Sequence, residues 1–80
     1  MEAYKQRMIS ELIELHLRYC AAVNALFDER ITPENRQLLQ QQVRHMCEYE
    51  KILRIRMRRA GIDLEAVDKF MQFGSGVILE

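Results

Sequence analysis

Two short segments, "HLRYC" and "VRHMC", hold every histidine and cysteine of the chain: His16, Cys20, His45 and Cys47. On a helix His16 and Cys20 stand one turn apart at i, i+4, a spacing that suits two ligands of one ion. His45 and Cys47 are i, i+2, about 160° apart at 100° per residue, and cannot aim at a common ion. In an ideal hairpin turning near residues 30–31, His16 and His45 lie level. The plainer reading is two partly buried histidines and two core thiols, so no metal and no cofactor is expected. A Cys20–Cys47 disulfide is also disfavoured. The two residues stand at unequal distances from the turn, offset by about 9 Å at 1.5 Å per residue. Bridging needs Cα atoms within about 7 Å.

Other catalytic arrangements fare no better. Catalysis needs a converging nucleophile, base and orienter, or a pair of carboxylates. The serines are Ser10, on a helix surface, and Ser75, in a C-terminal tail. Glu11 and Glu14 favour the solvent side, where Glu14 and Arg18 have ordinary i, i+4 ion-pair spacing. The "GSG" at 74–76 precedes no helix and so cannot cradle a phosphate in the usual way. A non-catalytic protein is expected.

Glu50 stands at the edge of an apolar stripe, between Val43 and Met57. Its bland account is an i, i+4 pair with Arg54. A sharper account makes it a register device, an acid meeting Lys5 or a cation of a partner chain. Downstream, "KILRIRMRRAG" carries five cations and no acid. Lys51, Arg54 and Arg58 fall within about 60° of each other on a helix, with Arg59 further round and Arg44 extending the patch one turn back. Such a surface could touch phosphates. Cations in a last helical turn are equally explained by the helix dipole.

The elements that must position these residues are helices. "TPEN" starts one, with Thr32 as N-cap and Pro33 at N1. "RRAGI" stops it, Gly61 taking the left-handed position after the helix and Ile62 folding back on Met57. Asp63 caps a further short helix. The fold class expected is all-α: an antiparallel hairpin of two long helices, about 2–27 and 33–60, a short third helix over about 64–72, and a tail, 73–80. This is one domain, 1–80. The tail, after its glycines, could tuck over the bundle end or extend along a partner's edge.

Helical spacing shows what each element must bury. On helix 1, Met8, Leu12, Leu15, Tyr19, Ala22 and Leu26 form one seam at 4-3-4-3-4 spacing. Beside it runs a second stripe of Ile9, Ile13, His16, Cys20, Val23 and Phe27. Together they exceed the roughly 100° stripe of an ordinary amphipathic helix. Helix 2 offers a narrower stripe, Leu39, Val43, Met46, Leu53, Met57 and Ala60, flanked by Leu38 and Tyr49. One seam of helix 1 is thereby matched and the other left over. An uncovered apolar strip marks an interface. The partner surface expected is Ile9, Ile13, His16, Leu17, Cys20, Val23 and Phe27, and a second copy would complete a four-helix core in a homodimer.

Bulk properties agree. Eighty residues, 49% hydrophobic and 30% charged, describe a small folded domain that buries too little surface to be comfortably stable alone. A net charge of zero and a pI near 6.7 disfavour nucleic-acid binding by overall charge. No apolar run approaches the roughly 20 residues of a membrane span. The absence of a signal-peptide layout and of a disulfide framework suggests a reducing, cytoplasmic setting. The function expected is a small interaction module: a regulator, adaptor or chaperone-like subunit. The alternative is a dimeric nucleic-acid-binding protein using the basic face Arg44, Lys51, Arg54, Arg58 and Arg59.

Overall fold

The structure, a computed structural model, describes residues 2–79, with side chains described over 2–72. Three helices follow one another, α1 (Ala3–Ala25), α2 (Pro33–Arg59) and α3 (Leu64–Leu79). Among the described residues there is no strand, so the fold is all-α as expected.

The boundaries follow from local chemistry. Thr32 is extended, and its hydroxyl accepts from the Asn35 amide at 3.2 Å, satisfying one of the free N–H groups of the first turn. Pro33 has no N–H to satisfy. At the other end Gly61 takes φ +82°. The Ile62 amide donates to the Met57 carbonyl and the Gly61 amide to that of Arg58, both at 3.0 Å, which together make a Schellman stop. Ile62 and Met57 are both buried, supplying the apolar contact that accompanies this motif. Asp63 then accepts from the Ala66 amide at 3.2 Å and opens α3.

Between α1 and α2 the chain turns on Asp28. Its carboxylate accepts from the Arg30 amide at 2.9 Å and from two nitrogens of the Arg30 guanidinium at 3.1 and 2.9 Å. Arg36, from the start of α2, donates to the Leu26 carbonyl and so serves the open end of α1. Further along, Tyr49 of α2 donates to the Glu11 carboxylate of α1.

One boundary differs from expectation. The third helix does not stop near residue 72 but runs through the "GSG" to Leu79. Glycine inside a helix costs about 1 kcal/mol, yet extending a helix already nucleated adds one hydrogen bond for each residue fixed. The segment expected as a tail is therefore helical backbone, and where its side chains rest lies outside the described residues.

The buried core is small and lies towards one end. Met8, Leu12 and Leu15 of α1 meet Leu53 and Met57 of α2, with Ile62 and Val67 closing the cluster. Leu12, Leu53 and Met57 are fully buried. Beyond Leu15 of α1, and through the first half of α2, no described residue is buried; Val23, Leu26, Leu39, Val43 and Met46 are half-buried. Phe27, beside the Asp28 turn, is exposed, as are Leu17 and Leu38 further along the two helices.

The outline matches that uneven core. The principal extents are 45 × 33 × 18 Å and the radius of gyration is 14.9 Å, against about 11.6 Å for a compact chain of this length. The accessible surface is 6346 Å². A compact monomer of 9.6 kDa exposes about 5,100 Å².

Candidate functional site

The residues of the second α1 stripe fall into two groups. Ile9 is half-buried and packs against the core, and Ile13, His16 and Val23 are half-buried as well. Leu17 is 63% exposed, Phe27 80% exposed, and Cys20 is exposed. The stripe is thus partly drawn into the fold at its N-terminal end and open towards the turn. Sequence spacing did not single out Ile52 and Ile55 of α2, yet both are exposed, as are Leu38 and Tyr49. At 100° per residue, Leu38, Tyr49 and Ile52 fall within about 60° of one another, so α2 carries an exposed apolar strip along one edge of its core-facing stripe. The signal was present in the sequence but masked by Gln42, His45 and Arg56 interleaved on the same face.

His16 does not meet His45. Its Nδ1 lies 3.3 Å from Glu50 Oε1, across the α1–α2 contact. Glu50 is an acceptor, so Nδ1 donates to it, and in the neutral form of the ring Nε2 is then the acceptor. Cys20 Sγ lies 3.6 Å from that Nε2, one turn along α1. The other Glu50 oxygen accepts from Arg54 Nε at 3.1 Å. The Arg54 guanidinium donates in turn to both oxygens of Asp68 in α3, at 3.2 and 2.9 Å. A polar relay, Cys20–His16–Glu50–Arg54–Asp68, therefore threads all three helices. The Asp68 hydrogen bond above all, helped by that of Glu50, raises the already high pKa of Arg54, so the cation that joins α2 to α3 stays charged.

Both accounts of Glu50 meet this geometry. The Arg54 pair is present, and the acid has a cross-helix partner too, but that partner is His16. Lys5 pairs with Glu2 instead, at 3.9 Å. His16 was legible as a helix-face residue, and its partner was not, because helical spacing within α1 says nothing of the register between helices. Cys20, His16 and Glu50 do stand in the order of nucleophile, base and orienter. Cys20 lies inside α1, however, where backbone amides are engaged in helix bonds and are not free to polarise a carbonyl. Both cysteines are free thiols. Among the described residues, no group of three or more His, Cys, Asp or Glu side chains is placed to hold a metal ion.

The basic surface is thinned by ion pairing. Arg54 is half-buried in the relay, and Lys51 lies 3.4 Å from Glu48. Arg44, Arg58 and Arg59 remain exposed, the last two in the final turn of α2, where the helix dipole favours them. No helix among the described residues is long and apolar enough to cross a membrane.

Comparison with curated proteins finds no match, and comparison with solved structures finds none either. A family model described as Sequestin matches residues 2–59. That span takes in the whole of α1 and α2, with four of the five relay residues, and ends where the Schellman stop begins. Covering well over half of the sequence, the match shows that the chain belongs to the Sequestin family.

Proposed function

We propose that the chain is a non-catalytic protein–protein interaction module that works as an antiparallel helical hairpin and docks through its uncovered apolar helix faces, first of all with a second copy of itself. The observation that carries this reading is the balance of side chains. Seven hydrophobic residues are buried while eight large hydrophobic ones stay exposed among the described residues. The pairing of Leu26 with Arg36 and of His16 with Glu50 is what an antiparallel α1–α2 hairpin requires.

A second copy suits the shape and area. Helical domains form a core between packed layers, and a slab 18 Å thick offers little more than one. The surface exceeds that of a compact monomer by about 1,200 Å², against about 800 Å² per partner in a standard interface. Leu17 and Phe27, with the half-buried Ile13 and Val23, form the natural centre of the contact. Facing its symmetry mate, the strip would complete a four-helix layer pair.

Sedimentation equilibrium across a wide concentration range tests this. A dimer is expected, and Leu17→Glu with Phe27→Asp should shift the equilibrium towards monomer by at least about 2 kcal/mol, while leaving helicity intact. A native chain that stays monomeric and soluble at high concentration would contradict self-docking. The nucleic-acid reading loses support from the pairing of Arg54 and Lys51 with acids of the same chain.

A further inference from the structure

We propose that Cys20 is a built modification site, a thiol that exchanges with low-molecular-weight disulfides, with His16 as its proton acceptor and Glu50 and Arg54 as positioning residues. Three observations carry it. The Cys20 thiol is exposed, so a small reagent can reach it. His16 Nε2 lies 3.6 Å from Sγ, with the acceptor side of the ring turned to the thiol by the Glu50 contact at Nδ1. Glu50 is itself held by Arg54 at 3.1 Å, and Arg54 by Asp68 at 2.9 Å, so the imidazole is fixed from behind through two further helices. A surface histidine beside a cysteine at i, i+4 is common; a histidine oriented by a mostly buried, ion-paired carboxylate is not needed for packing.

The exchange balances within the site and its reagent. The Cys20 proton passes to His16 Nε2, and the sulfur attacks one sulfur of the disulfide. The reagent's S–S bond breaks as the new one forms, and its electron pair leaves with the departing thiolate. That thiolate takes the proton from the imidazolium. Cys20 is oxidised to a mixed disulfide, and half of the reagent is reduced to free thiol. Glu50 stabilises the imidazolium while it lasts. Cys47 shares none of these contacts among the described hydrogen bonds and is half-buried, so it serves as a reference thiol.

The test uses the full chain with Cys47→Ser, so that Cys20 alone reacts. Hydroxyethyl disulfide, an uncharged reagent, is added to dilute protein, and adduct formation is followed by intact mass. The same is done with His16→Gln and with Glu50→Gln added, each checked for native helicity by circular dichroism. His16→Gln should slow the reaction about tenfold, less than the usual 10²–10⁴ of a general base because this pair is open to water. Glu50→Gln should slow it by a smaller factor, and Glu50→Asp should restore part of the loss, which a merely structural role would not do. Rates within about twofold for all the folded variants would overturn the proposal, exposure alone then accounting for the reactivity. If one variant does not fold, the other two decide in the same way. Working at high dilution keeps self-association from covering Cys20, so failure here and failure of the docking reading in sedimentation are separate results.

Discussion

At the scale of single residues, backbone geometry at Gly61 and charge at Asp28 give the sharpest expectations. Gly61 sits at φ +82°, where a side chain is strained whatever the space around it. A Cβ there would meet the Lys5 amine at an ordinary 3.9 Å, so the cost of Gly61→Ala is conformational rather than steric. Urea unfolding should show a loss of about 1–2 kcal/mol, and Gly61→Asn should lose less. Asp28 is held below its ordinary 3.8, first by its side-chain bonds to the Arg30 guanidinium and then by the Arg30 amide. A carboxylate depressed in the folded chain adds stability above its unfolded value and loses that contribution as pH falls through its folded value. An NMR titration should place the Asp28 midpoint under 3.8, and Arg30→Gln should move it back up. Both residues were legible to different degrees. "RRAGI" announced its turn because glycine after a cationic last turn has few other uses. Asp28 and Arg30 lie in "DERIT", where polar residues abound and nothing in the spacing says which pair closes the turn.

At the scale of elements, α3 is tied to α2 by Arg54 and Asp68 as well as by Ile62 and Val67 in the core. The pair is bidentate but Asp68 is half-exposed, so solvent screens it. A double-mutant cycle with Arg54→Gln and Asp68→Asn should return a coupling of roughly 0.5–1 kcal/mol. A coupling near zero would mean that α3 is held by its apolar contacts alone. Helix existence and the ends of α2 could be read from Thr32, Pro33 and Gly61, because caps are local. The length of α3 could not. "GSG" carries the usual composition of a break, and whether a helix passes through it depends on bonds already made upstream rather than on the glycines. The relay was hidden for a related reason. Its residues are 16, 20, 50, 54 and 68, and i, i+4 spacing links the first two and the next two, while the contact between the pairs depends on inter-helix register.

At the scale of the whole molecule, the uneven core is the dominant feature. Buried residues gather where α1 begins and α2 ends, and the turn end is left with half-buried Val23, Leu26, Leu39 and Val43 beside exposed Leu17, Phe27 and Leu38. The apolar excess of α1 was visible in its doubled stripe. That Ile9 would pack against the core while Leu17 and Phe27 were left out required knowing how the helices pack on one another. The flat outline has a hydrodynamic corollary. In the dimer proposed above, a second slab stacked face to face, its nearest helix axes about 10 Å from those of the first, would roughly double the thinnest extent of 18 Å while the other two stay near 45 and 33 Å. Doubling the mass in this way makes the particle rounder. The dimer should then show a lower frictional ratio than the monomer, and a sedimentation coefficient that rises faster than mass alone would give.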